Sequence, residues 1–175
     1  MKKRILITIT IALFFISNIY SASIYQILYS SKELLPAAKN VIIFFDKKVH
    51  SNTASLITAA KASLKLNIKA ISIEKFTNIA KIYNHIIKKK KPDFIVLLSD
   101  ASVFNKLGKK FIIQKSAAKK IPVITDKKED LASGSVLVFS KTDNGDIKLI
   151  NSKICSAFEI SIPDKIKKSS KYSIQ

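Results

Sequence analysis

From Asn40 onward the spacing of apolar residues switches repeatedly between two periods. Val41-Ile42-Ile43-Phe44-Phe45 is an unbroken apolar run closed by Asp46. That pattern predicts a strand buried on both faces. Ser51-Asn52-Thr53 then supplies helix-capping side chains, Leu56, Ile57, Ala60 and Leu64 recur at helical spacing, and Asn67 marks the helix end. A short second strand follows at 70–73. Thr77-Asn78 caps the next segment, where Ile79, Ile82, Tyr83, Ile86 and Ile87 fall on one helical face. Lys88 to Lys91 stand where the negative end of a helix dipole favours cations, and Pro92 stops the helix. The run 94–98 reads as a third strand, followed by Ser99-Asp100-Ala101-Ser102 and a helix carrying Val103, Leu107 and Phe111. A fourth strand is expected at 122–125. Asp126 and Glu129 have capping-box spacing for a short helix, and Gly134 precedes a fifth strand at 136–139. Asp143-Asn144-Gly145-Asp146 reads as a hairpin turn into a sixth strand at 147–150.

Strands alternating with helices at this spacing imply right-handed crossovers. The fold class is therefore α/β: a mainly parallel, doubly wound sheet with helices on both faces. Residues 40–166 form the expected lobe, 24–39 a helical or irregular lead-in, and 167–175 a flexible tail. There is no internal repeat and no low-complexity linker.

The start of the chain bears on compartment. Met1-Lys2-Lys3-Arg4 is a basic stretch, 5–16 is apolar, and Ser21-Ala22-Ser23 offers small residues for a signal peptidase. Residues 1–23 read as a cleaved secretory signal, which makes the mature chain periplasmic. The alternative is an inner-membrane anchor left uncleaved, although the apolar run falls short of the ~20 residues that span a bilayer. Cys155 is the only cysteine, so neither an intramolecular disulfide nor a cysteine-based zinc site can form. It reads as a small packed side chain.

A formal charge of +19 invites a nucleic-acid partner. The only arginine, however, is Arg4, so the mature chain lacks the side chain that reads phosphates and base edges in bidentate fashion. Lysines spread through every segment read instead as a solvated surface, with no nucleic-acid partner, and with weak attraction to anionic envelope surfaces as a minor role.

In an open parallel sheet, ligands bind outside the carboxyl ends of the strands. Those ends are 46–53, 99–102 and Thr125-Asp126, all rich in hydroxyls and carboxylates, and each opens a helix whose free N–H groups can hold an anion. The same residue types are ordinary caps, so both readings stand. Enzyme signatures are missing: there is no glycine-rich phosphate loop, no Gly-x-Ser-x-Gly elbow, and only three glycines. His50 lies in the first strand-end loop and His85 in mid-helix, neither with a second ligand at metal spacing, so no metal, cofactor or catalytic residue is expected. Asp100, Thr125 and Lys141 mimic the order of a phosphoacceptor receiver, but the export signal and the single Asp46 at the first strand end argue against it.

The segments "NVIIFFDKKVHSNTASL", "PDFIVLLSDASVF", "KKIPVITDKKEDLASGSVL" and "INSKICSAFEISIPDKIKKSSKYSI" occur in an order with a counterpart. From Asn40 to Ile174 the chain resembles the ABC-transporter substrate-binding proteins of the tryptophan/tyrosine type. The resemblance implies one lobe of a type 1 periplasmic-binding-protein fold, with an Asn opening one late helix and an Ile-Pro introducing the last. It also implies a non-enzymatic, exported protein that binds a small organic solute such as an amino acid and works with a membrane permease. By the same resemblance Ser51, Asn52 and Thr53 match the first ligand loop, Asp100 and Ser102 the loop after the third strand, and Asp126 the loop after the fourth. Family members close two lobes around ligand. A lone lobe leaves it half exposed, so tight capture requires a homodimer or another protein. The alternative is a periplasmic regulator contacting a membrane sensor protein, as in the YfiR-like inhibitors of membrane cyclases, which end in a comparable Asn-plus-helix pattern.

Overall fold

The computed structural model describes residues 23–46, 53–89, 91–98, 105–142 and 145–175. Five strands, β1 (Asn40–Phe45), β2 (Asn67–Ser72), β3 (Phe94–Leu97), β4 (Val123–Thr125) and β5 (Leu137–Thr142), run parallel. β6 (Gly145–Ile150) returns antiparallel to β5, and β7 (Tyr172–Ile174) lies parallel to β6. The sheet order is β2-β1-β3-β4-β5-β6-β7. Side-chain alternation divides the core between the two faces. Val41, Ile43, Phe94 and Val96 join α1 (Ile24–Leu34) and α2 (Thr53–Leu64) through Ile27, Leu28, Leu34, Ile57 and Ala60. Ile42, Phe44, Ile95, Leu97 and Val123 face α3 (Ile79–Lys89) and α4 (Lys106–Ala117) through Ile79, Tyr83, Ile86, Ile112 and Ile113. The continuous apolar runs read as two-sided strands are buried on both sides, and the sheet is the doubly wound α/β arrangement that the alternation predicts.

The lead-in takes the helical of its two expected forms, as α1, with Ser23 and Gln26 forming a reciprocal capping box. Several details further along differ from the sequence reading. α2 ends at Leu64, Lys65 turns the chain in the left-handed region (φ 53°), and Asn67 begins β2, earlier than expected. Thr77 and Asn78 lie in a short 3-10 turn, Phe76–Asn78, ahead of α3. In α4 the core face is Gly108, Lys109, Ile112, Ile113 and Ser116, while Leu107 is 68% exposed. The helix is capped by Asn105, whose side chain accepts from Gly108 N–H at 2.9 Å; capping at that point turns the helix by a position relative to the expected stripe. The segment expected to be a flexible tail contains β7: Gln175 N–H bonds to Ile150 O at 2.8 Å, and the Tyr172 hydroxyl donates to Glu33 Oε2 at 2.7 Å. As anticipated, Asn151 caps the helix α5 (Ser152–Ala157), and Pro163 precedes α6 (Asp164–Lys167).

The parallel strands give the molecule two poles. At the carboxyl pole β1, β3, β4 and β5 end and α2, α3 and α4 begin; at the amino pole the strands begin and α1 to α4 end.

Candidate functional site at the carboxyl pole

The chain passes from β1 outward to β2, then crosses back over β1 to β3. The strand order therefore reverses between β1 and β3, and the space beyond their carboxyl ends is the usual ligand position in such sheets. Phe44 pairs with Leu97 and Leu97 with Thr125, so Asp46, Leu98 and Asp126 each stand just beyond the ends of three adjacent strands. Asp46 is 3% and Asp126 9% exposed. Of the residues assigned from sequence, Thr53 opens α2 and Asp126 directly follows β4. Ser51, Asn52, Asp100, Ser102 and His50 lie outside the described residues.

The expected capping box from Asp126 to Glu129 is not formed as such. The turn after β4 is the 3-10 element Lys128–Asp130, with Lys127 in the cap position and no side-chain cap bond. The turn is held from elsewhere: Ser135 N–H bonds to Asp130 O at 3.1 Å, Asn151 Nδ2 donates to Leu131 O at 3.1 Å, and Gly134 takes φ 108°, which only glycine adopts freely.

A buried ion pair escaped the sequence reading. Lys109, in the first turn of α4, places Nζ 3.1 Å from the Asp130 carboxylate and 3.7 Å from that of Glu129. Lys109 is 7% and Asp130 3% exposed. Burial raises the Asp130 pKa above the ordinary carboxylate range, although Lys109 and the Thr125 hydroxyl both pull against it. Within "KLGKKF" Lys109 reads as one more solvated lysine, and Asp130 carries no pattern of its own in the sequence. The available signal was position: with Asn105 as the cap, Lys109 falls on the same face as Ile112, Ile113 and Ser116.

Among the described residues no group of three or more His, Cys, Asp and Glu could hold a metal ion, and no helix is long and apolar enough to cross a membrane. His85 is exposed. Cys155 is buried, which pushes its thiol up to about 11 and keeps it protonated and unreactive. A cavity of about 580 Å³ bounded by described residues lies at the opposite, amino pole.

No protein-family model and no curated protein matches the chain. Solved structures do. A conserved domain protein from Vibrio cholerae superposes with a TM-score of 0.74 at 15% identity, over 88% of this chain and 60% of that one. The ABC domain in complex with L-Trp from Streptococcus pneumoniae gives 0.66 at 15% identity, over 86% and 61%. A ligand-free, open substrate-binding protein with adhesive properties from Clostridium difficile gives 0.68 at 12% identity, over 88% and 60%. The chain thus matches about three fifths of the length of each of these structures. At such identities the likeness is one of architecture, and this chain has an α/β fold similar to that of these structures.

Proposed function

We propose that the protein is an exported, non-enzymatic solute-binding protein of an ABC-type uptake system. Its ligand is a small organic solute, such as an amino acid, held at the carboxyl pole. The observation that carries this reading is the β1/β3 switch point, with Asp46 and Asp126 just beyond the ends of β1 and β4, on either side of β3, and α2 opening at the same pole. Carboxylates there suit a ligand's ammonium group, and free N–H groups at a helix start suit its carboxylate. The similar structures, one an ABC domain in complex with L-Trp and one a substrate-binding protein, support the same ligand class. In this reading the protein resides in the periplasm, delivers solute to a membrane permease, and completes its clamp with a second copy or another protein.

The test is a thermal-shift screen of the purified protein against amino acids and small organic acids, with mass in solution recorded. A dose-dependent rise in melting temperature is expected, as mass action requires. The paired substitution Asp126→Ala, Ser102→Ala abolishes that rise while the unliganded protein stays folded. An unchanged ligand response in the double variant rejects the site. A folded protein unresponsive to every solute favours the regulator that works through a membrane sensor protein.

A further inference from the structure

We propose that the amino pole is a docking surface for an anionic lipid bilayer. The topology gathers exposed lysines there from separate parts of the chain. Lys39 precedes β1, Lys65 follows α2, Lys88 and Lys89 close α3, Lys91 leads into β3, and Lys119 and Lys120 follow α4. The acids at this pole are already engaged. Asp93 accepts the N–H groups of Lys39 and Asn40, both at 2.7 Å; Glu159 lies 2.7 Å from Lys120; Glu33 takes the Tyr172 hydroxyl and Lys165. The helix dipole accounts for a cation at each helix end. It does not account for the cavity of about 580 Å³ among them, with Leu34, Leu35, Pro36, Pro92 and Ile160 in its wall, and with Lys91, Lys120 and the two engaged carboxylates of Asp93 and Glu159 at its polar side. A second cavity of about 320 Å³ shares Pro92 and adds Lys69 and Lys89.

Lysines in excess over the carboxylates of this pole, set around a hollow with a partly apolar wall, match an amphiphile: phosphate headgroups for Lys39, Lys65, Lys88, Lys89, Lys91 and Lys119, glycerol and acyl carbons for the apolar wall. A duplex nucleic acid keeps its base faces stacked inside and presents phosphates, and the only arginine is Arg4, so bidentate phosphate recognition has no donor at this pole. Lysines acting as point charges are sufficient for headgroups at an anionic surface. Docking in this orientation turns the carboxyl pole away from the bilayer toward solvent. The inference does not depend on the solute-binding reading.

The experiment is co-sedimentation of the full chain with vesicles of phosphatidylcholine containing phosphatidylglycerol, and with phosphatidylcholine alone. One variant carries Lys88→Glu, Lys89→Glu, Lys91→Glu and Lys119→Glu; a charge-matched variant carries Lys75→Glu, Lys81→Glu, Lys110→Glu and Lys128→Glu, all exposed and away from this pole. Circular dichroism checks folding, and a Lys→Gln version of the first set replaces it where reversed charge at the helix ends disturbs α3 or α4. Binding to anionic vesicles and not to neutral ones is expected, at least tenfold weaker in the amino-pole variant and less than twofold weaker in the matched one. Equal loss in the two variants reduces the effect to bulk charge and overturns the proposal. So does equal binding to neutral vesicles, or tighter, amino-pole-dependent binding to duplex DNA or polyglutamate.

Discussion

Asp93 and Asp130 sit at opposite poles, and their surroundings shift them in opposite directions. Asp93 is exposed at the amino pole, where its carboxylate accepts N–H groups of Lys39 and Asn40 and ties the start of β3 to the start of β1. Partial burial alone would raise its pKa, but those hydrogen bonds and nearby Lys32 hold it below the usual carboxylate range. Asp130 is buried at the carboxyl pole, and there desolvation wins over its pairing with Lys109. A carboxylate that keeps water and gains N–H donors strengthens the fold. A buried one needs its partner merely to be tolerated. The amino pole is thus fastened, whereas the carboxyl pole, where the solute site is proposed, carries a desolvated charge.

Lys109→Ala breaks this contrast most severely. It leaves Asp130 buried without its ammonium partner, and a loss of about 3–5 kcal/mol is expected in urea unfolding. The double variant Lys109→Met, Asp130→Leu should be at least as stable as the parent, since replacing a buried pair by apolar groups removes both desolvation costs. A double variant as unstable as the single one would mean that the pair is worth more than its burial costs.

Asp93→Ala comes next, with an expected loss of about 1.5–3 kcal/mol for hydrogen bonds to a charged acceptor. Its pH dependence sharpens the comparison. Because the folded pKa of Asp93 is lowered, its contribution is complete above the unfolded value and is lost as pH falls through the folded one. Asp130 has the opposite sign: its folded pKa is raised, so protonation favours the folded state, and its contribution declines as pH rises through the folded value. Urea midpoints against pH should show Asp93→Asn flattening the acid-side loss and Asp130→Asn steepening it. Matching profiles would remove the distinction between the poles.

The smallest effect is a gain. Lys65, Lys120 and Glu159 all have positive φ at amino-pole turns where glycine would be relaxed. Lys65→Gly should stabilise by up to about 1 kcal/mol, the relief of left-handed strain less the added chain entropy of glycine. Lys120→Gly should yield less, because it also removes the exposed bridge to Glu159.

Much of this architecture was legible in the one-dimensional pattern. The run at 41–45 could only be satisfied between two layers, and the stripe of Ile79, Tyr83, Ile86 and Ile87 is the buried face of α3. α4 was less legible because its face depends on where the helix starts. With Asn105 as the cap, Leu107 points to solvent and Lys109 inward. β7 was hidden for a different reason: "KKSSKYSI" carries little apolar signal, and its strand exists only because β6 offers an edge. Of the candidate site, the position of Asp126 at a strand end followed from the chain, while its neighbourhood with Asp46 followed from register.

The amino-acid sequence by itself determined the alternation of elements and the two-sided burial of the sheet, because hydrophobic period and helix-end chemistry act over a few residues. Only the tertiary structure decided the strand order, the partner of Lys109, the place of β7 and the gathering of lysines at one pole. Those depend on which distant segments become neighbours, and no local spacing encodes that.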